Sequence, residues 1–185
     1  MKLEELIDNS KTDKNTTHTY LETYENLFSP LKETAKNILE IGVQHGGSIK
    51  LWNDYFTNAK IYGVDINKYP EWSELEKREN VILFNKNAYD VNFIKTEFID
   101  KNIKFDVIID DGPHTLESML FFAMHYSQLL AENGVLIIED VQSPDWIPFI
   151  CNNFPAKYKE NNKISIVDLR PKKFRYDDIL IVCKN

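Results

Sequence analysis

A doubly wound α/β sheet is the fold this chain predicts, on three observations. From Asn37 onward, short β-branched runs alternate with longer segments of helical periodicity, the pattern of parallel strands joined by crossover helices. The strand-like runs end in glycines, carboxylates and amides, and sheets of this kind bind ligands outside the carboxyl ends of their strands. Two further strand-like runs lie close together near the C-terminus, which calls for an antiparallel hairpin at one edge. The expected sheet is mostly parallel and seven-stranded, behind an N-terminal helical cap.

Taken in order, Leu3 to Ile7 and Tyr20 to Phe28 have helical spacing. The polar Lys11 to Thr17 stretch between them has little to bury, so Lys14 and His18 are expected in a solvated linker or a lid. The first strand is Ile38 to Val43, followed by a helix over Ser48 to Phe56; the second is Lys60 to Asp65, followed by Trp72 to Arg78. Next come strand Val81 to Asn85, helix Asp90 to Asp100 and strand Phe105 to Asp110. A helix over Leu116 to Ala131 follows from apolar residues at Leu116, Met119, Leu120, Ala123, Met124 and Leu130, and Gly134 to Glu139 is the fifth strand. After Pro144, a short helix around Ile147 to Phe154 precedes strands Lys163 to Leu169 and Asp178 to Cys183, joined by the basic turn Pro171, Lys172, Lys173. Residues 1–36 are expected to form the cap and residues 37–185 the ligand-binding part of one domain.

Composition narrows the function. The 29 acidic residues against 22 basic ones give a formal charge of −7, and such a surface repels phosphate backbones, so nucleic acid is excluded as a partner. No apolar run reaches the roughly 18 residues a membrane helix needs, and the N-terminus lacks the order of a signal peptide, so no membrane partner is expected and a cytoplasmic location is. Cys151 and Cys183 are too far apart for a CxxC site and read as free thiols.

Chemistry concentrates at the strand ends. The first strand runs through Leu39-Glu40-Ile41-Gly42-Val43-Gln44-His45-Gly46-Gly47-Ser48 into a helix. Its glycines admit a ligand close to main-chain N–H groups, but Gln44 stands where a dinucleotide fingerprint has its second glycine, which disfavours NAD. Glu40 suits the ammonium of an amino-acid-like ligand. Asp65 ends the second strand about twenty residues on, where a ribose diol is held, or it caps the turn with Asn67. Asn87, after the third strand, is placed to read an adenine edge. Two neighbouring strands then each end in paired acids, Asp110-Asp111 and Glu139-Asp140. Four carboxylates at one sheet edge repel one another unless something positive sits among them, and oxygen ligands favour a hard cation such as Mg²⁺ or Mn²⁺. The alternative makes the acids N-caps of the following helices. His114, in the turn after Gly112-Pro113, is placed as a general base. Trp52, Trp146, Tyr20 and Tyr24 either stack on a ligand or pack a core.

Together, Glu40-Ile41-Gly42 with Gly46-Gly47-Ser48, Gly63-Val64-Asp65, Ile109-Asp110-Asp111-Gly112 with His114, and Ile138-Glu139-Asp140 resemble the class I S-adenosylmethionine-dependent methyltransferases. More narrowly, the chain resembles the metal-dependent sugar O-methyltransferases of macrolide biosynthesis and the cephalosporin-hydroxylase-like family. The Lys11-Thr12-Asp13-Lys14 segment with Tyr20 and Tyr24, and Asp168-Leu169-Arg170 with Asp177-Asp178, extend the likeness over nearly the whole chain. The resemblance implies a Rossmann-like sheet, with Glu40, Gly42, Gly46, Asp65, Asn87 and Asp110 at the S-adenosylmethionine site. It implies Asp111, Glu139 and Asp140 as Mg²⁺ or Mn²⁺ ligands, and His114, with Asp111, as the catalytic pair that deprotonates a sugar hydroxyl. The implied acceptor is a small sugar-containing molecule, and a homo-oligomer is compatible with the family. A catechol-type O-methyltransferase and a catalytically inactive S-adenosylmethionine-binding protein are the alternatives.

Overall fold

A computed structural model describes residues 1–185. Seven strands form one sheet in the order β3-β2-β1-β4-β5-β7-β6. They are β1 (Asn37–Ile41), β2 (Lys60–Asp65), β3 (Val81–Asn85), β4 (Phe105–Asp110), β5 (Leu130–Ile138), β6 (Ile164–Asp168) and β7 (Ile179–Lys184). The first five are parallel, whereas β7 runs antiparallel between β5 and β6. The expected C-terminal hairpin is therefore present, with its second strand inserted beside β5. Leaving β1, the chain meets β2 on one side and β4 on the other, so a crevice opens at their carboxyl ends.

Side chains alternate across this sheet, and the alternation decides which acid faces where. Ile38, Ile61, Val135, Ile137, Leu180 and Val182 join one apolar cluster, with Leu3, Tyr20, Leu21, Tyr24 and Phe28 of the N-terminal segment. Leu39, Ile41, Val64, Ile108, Leu136 and Ile138 join the opposite cluster, with Phe98, Met119, Phe122 and Ile150. The first face is covered by α1 (Leu3–Leu6), α2 (Leu21–Phe28) and α3 (Gly47–Tyr55). Around the sheet also run α4 (Trp72–Leu75), α5 (Val91–Ile94), α6 (Leu116–His125), α7 (Ile147–Asn153), α8 (Ala156–Lys159) and α9 (Arg170–Lys173).

Four boundaries depart from expectation. The helix read over Leu116 to Ala131 ends at His125, because a 3₁₀ turn over Ser127–Leu129 returns the chain to pair Leu130 with Phe105, so β5 starts four residues early. The helix over Trp72 to Arg78 is a single turn, α4. The one over Asp90 to Asp100 changes to a π-helical turn at Lys95–Ile99. The basic turn at Pro171 is the short helix α9, ended by Phe174 in the left-handed region. Cys151 and Cys183 are free, as expected, and no helix is long and apolar enough to cross a membrane.

Candidate active site

Two cavities meet at the carboxyl ends of β1, β2 and β4. One, of about 430 Å³, is lined by Ile41, Gly42, Val64, Asp65, Asn87 and Tyr89, among others. The other, of about 340 Å³, is almost wholly polar and is walled by residues 9–13 on one side and by Ser48, Asp111, His114 and Asp140 on the other. Gly42, Gln44 and Asp111 border both.

The turn after β1 carries the wall between them. Gly42 sits at φ +86, and a β-carbon there would lie 1.8 Å from the carbonyl oxygen of Asp111, so only glycine lets this loop touch the end of β4. Asp65 Oδ2 accepts from the N–H groups of Val43 (2.9 Å) and Gln44 (2.8 Å), and its Oδ1 accepts from Asn67 N–H (2.9 Å). Asp65 thus shapes the loop and caps its own turn while bordering the apolar cavity. Asn87 borders the same cavity, with its Oδ1 held by Tyr89 N–H at 3.0 Å. Asp110 lies just beneath, its Oδ1 accepting from Tyr89 Oη at 2.6 Å, and burial pushes its carboxyl up to about 7.

Glu40 and Gly46 do not line either cavity. By alternation, Glu40 turns to the face covered by α3. There it is fully buried, its Oε2 accepting from Ser48 Oγ (2.6 Å) and Trp52 Nε1 (3.1 Å). Gly46 is the left-handed N-cap of α3 and packs on Leu75.

The four acids are not helix caps. Thr115 caps α6, its Oγ1 accepting from Ser118 N–H, and Ser143 caps the turn after β5. Their partners come instead from the N-terminal segment. Lys14, only 1% exposed, donates from Nζ to Asp111 Oδ2 at 2.7 Å and to both oxygens of Glu139 at 2.8 Å, with Glu40 Oε1 at 3.3 Å. Burial alone would lower the Lys14 ammonium, but Asp111, Glu139 and Glu40 together outweigh it and hold it well above its ordinary value. Tyr24 Oη donates to Glu139 Oε1, and Tyr20 Oη to Asp140 Oδ1. His18 Nδ1 lies 2.6 Å from Asp178 Oδ1 and 3.5 Å from Asp140 Oδ1.

These contacts correct the solvated-linker reading of residues 11–17, since its lysine is among the largest fully buried side chains, while residues 11–13 and 16 wall the polar cavity. Of the two roles open to Tyr20, Tyr24 and Trp52, core packing is the one observed: all three are buried in the apolar cluster with their polar atoms spent on acids. Trp146 packs against the opposite cluster.

On the open side, His114 Nε2 lies 3.5 Å from Asp111 Oδ1 and 3.6 Å from Asp140 Oδ2, with His114 a quarter exposed. Gln44, His114 and Asp140 all have positive φ, at 45°, 52° and 54°, and all three border the polar cavity. Non-glycine residues held left-handed cluster at sites where a precise side-chain direction matters. Oxygens of Asp111 and Asp140 and a nitrogen of His114 lie within 4.8 Å of one another, as do oxygens of Glu40, Asp111 and Glu139. The carboxylate oxygens that face the cavity suit a hard divalent cation. Asp111 and Asp140 each offer one, Oδ1 and Oδ2 respectively, their other oxygens being held by Lys14 and Tyr20; Glu139 is engaged by Lys14 and Tyr24.

A family model described as a methyltransferase domain matches residues 39–141, from within β1 to just past Asp140. The chain belongs to that methyltransferase-domain family. Among curated relatives, this methyltransferase-family chain is 29% identical over 145 residues to the 8-demethyl-8-alpha-L-rhamnosyl tetracenomycin-C 2'-O-methyltransferase of Streptomyces olivaceus, which covers 75% of the chain and 37% of that enzyme. It is also 29% identical over 144 residues to the mycinamicin VI 2''-O-methyltransferase of Micromonospora griseorubida, covering 71% of the chain and 34% of that protein. The chain thus spans about a third of the length of the curated relatives it matches. Among solved structures, the MycE methyltransferase of the mycinamycin biosynthetic pathway, in complex with Mg and SAH, superposes with a TM-score of 0.72. Identity there is 22%, over all of this chain and 55% of that one, and the likeness shows the same Rossmann-like methyltransferase fold.

Lys14, Tyr20 and Tyr24 as partners of the acids, and Gln44 as a strained wall residue, were not expected. One signal pointed to the first: four acids at one edge require a cation, and the polar segment before α2 carries lysines with no other evident use.

Proposed function

We propose that this chain carries the catalytic fold of an S-adenosylmethionine-dependent O-methyltransferase that methylates a hydroxyl of a sugar on a small-molecule acceptor. The observation that carries the reading is the junction of the two cavities. The more apolar one, with Asp65 and Asn87 on its wall, suits an adenosine. The polar one, with Asp111, His114 and Asp140 on its wall, suits a hydroxylated acceptor. The relatives named as rhamnosyl and mycinamicin O-methyltransferases favour a sugar over a catechol. Gly42 and the main chain of Val43 and Gln44 would border the methionine portion, Asp65 the ribose and Asn87 the adenine. Asp111 and Asp140, joined by Glu139, would hold a divalent cation. That cation would lower the pKa of a coordinated acceptor hydroxyl.

His114 then receives the proton of the attacking hydroxyl at Nε2, the atom already directed between Asp111 and Asp140. The left-handed turn at His114 sets the direction in which its side chain leaves the backbone, toward Asp111 and Asp140. The same residues keep nucleophile and methyl donor in line, and orientation of this kind is worth up to roughly 7 kcal/mol. Buried Tyr20 and Tyr24, held protonated by burial and by Asp140 and Glu139, keep the acids oriented.

Calorimetric titration with S-adenosylmethionine, with NAD as control, is expected to show micromolar binding of the former alone. No binding, with or without Mg²⁺, would overturn the cofactor reading. A glycoside or nucleotide sugar is expected to be methylated in preference to a catechol. In His114→Ala, turnover should fall by about 10² to 10⁴ while cofactor affinity holds; loss of cofactor binding instead would make His114 structural.

A further inference from the structure

We propose that Lys14 is a tethered counter-ion that competes with a divalent cation for Glu139, so that metal binding ejects the Lys14 side chain and loosens the segment carrying it. The inference rests on reading the acid cluster as a metal site and adds what that site must displace.

Both oxygens of Glu139 are within 2.8 Å of Lys14 Nζ, and Oε1 also accepts from Tyr24. The same ammonium takes Asp111 Oδ2 at 2.7 Å, so it stands at the convergence of the inner carboxylates Glu40, Asp111 and Glu139. A cation ligated by Glu139 and Asp111 would have to share those oxygens with a buried positive charge a few ångströms away, in a setting where like charges are poorly screened. Asp111 Oδ1 and Asp140 Oδ2 turn outward toward His114 and offer an outer position without that conflict. An ion entering from the polar cavity therefore reaches Asp111 and Asp140 first and gains Glu139 only as Lys14 leaves.

The segment around Lys14 lies between the polar cavity and α9. Asn9, Ser10, Lys11, Thr12, Asp13 and Thr16 wall the polar cavity. From the far side, Lys173 Nζ donates to the carbonyls of Asn15 (3.2 Å), Thr16 (2.6 Å) and His18 (3.1 Å). Lys14 is the anchor at the centre of this span. Its release would move one wall of the acceptor cavity, which links metal loading to access.

The test is Mn²⁺ binding to the full chain, followed by calorimetry and by the loss of free-ion signal in electron paramagnetic resonance. In Lys14→Met, Mn²⁺ should bind at least tenfold more tightly than in the wild type, because Glu139 no longer has to be freed. Melting temperature should fall in chelator and recover with Mn²⁺ far more than in the wild type. Unchanged or weaker Mn²⁺ binding by the variant would overturn the competition, as would the absence of Mn²⁺ binding by both proteins. In the unaltered chain, amide hydrogen exchange over residues 9–17 should speed up when Mn²⁺ is added; slowing or no change would mean that Lys14 stays seated, and would overturn it even if the variant failed to fold. S-adenosylmethionine titration into the same samples separates these outcomes from failure of the methyltransferase reading.

Discussion

Glu40→Gln tests how the buried acids are charged. Burial, opposed in part by Lys14, lifts the Glu40 carboxyl from its ordinary 4.5 to about 7. Its Oε2 accepts from Ser48 and Trp52, while Oε1 faces the Lys14 ammonium at 3.3 Å. Between pH 4.5 and 7 the folded chain keeps a proton that the unfolded chain releases. The contribution of this residue to stability therefore falls as pH rises through that window and is flat above it. At about 1.36 kcal/mol per tenfold, the displacement amounts to roughly 3 kcal/mol. Glutamine is the neutral isostere of the protonated form and has no proton to release in this range. In urea unfolding at pH 8 the variant should be more stable than the wild type by about 3 kcal/mol, narrowing to within about 1 kcal/mol at pH 5. Trp52, hydrogen-bonded to the altered side chain, supplies the fluorescence signal. A variant less stable at pH 8, or a gap that does not change with pH, would mean that Glu40 is ionised and is a true partner of Lys14.

Two further substitutions bear on the site. Gly42→Ala places a methyl 1.8 Å from the Asp111 carbonyl oxygen at φ +86, so either the loop or the end of β4 must move; a loss of at least about 2 kcal/mol of stability and of measurable S-adenosylmethionine binding is expected, and calorimetry showing wild-type affinity would refute the close approach. Tyr24→Phe removes a donor from a Glu139 that is 2% exposed; leaving a buried acceptor short costs about 1–3 kcal/mol, and an unchanged urea midpoint would show that Lys14 alone satisfies Glu139.

Period and punctuation made most of the fold readable. The strands β2, β3 and β4 run where the β-branched and aromatic residues cluster, and each closes on a polar residue, Asp65, Asn85 or Asp110, at its carboxyl end. The start of β5 was not readable: Leu130 fits both the stripe of the preceding helix and a strand, and only its pairing with Phe105 decides between them. In the site, Asp111, His114 and Asp140 were identifiable because several unlike polar residues accumulate at one sheet edge. The face Glu40 takes was not readable, because its position at a strand end does not give it; one residue of alternation sends it under Ser48 and Trp52. For Lys14, the acids called for a cation but did not say which residue supplies it. Its burial depends on three carboxylates 26, 97 and 125 residues further along, and no local pattern reports such a contact.

That long-range contact explains how so acidic an edge folds. Asp111, Glu139 and Asp140 could not lie side by side in the interior without compensation. The N-terminal segment supplies one ammonium from Lys14, two phenol donors from Tyr20 and Tyr24, and an imidazole from His18, each reaching an acid at the end of β4, at the end of β5 or at the start of β7. The acids are thereby satisfied before any ligand arrives. The cost is that whatever binds Glu139 must first replace Lys14, and the affinity of the site is then the difference between two cations rather than the attraction of one. Asp140, which has no contact with Lys14 and keeps Oδ2 toward His114, escapes that subtraction, and Asp111 escapes it only at Oδ1. Substitution of Asp140 should therefore weaken a bound cation more than substitution of Glu139 does, although Glu139 is the more deeply buried of the two.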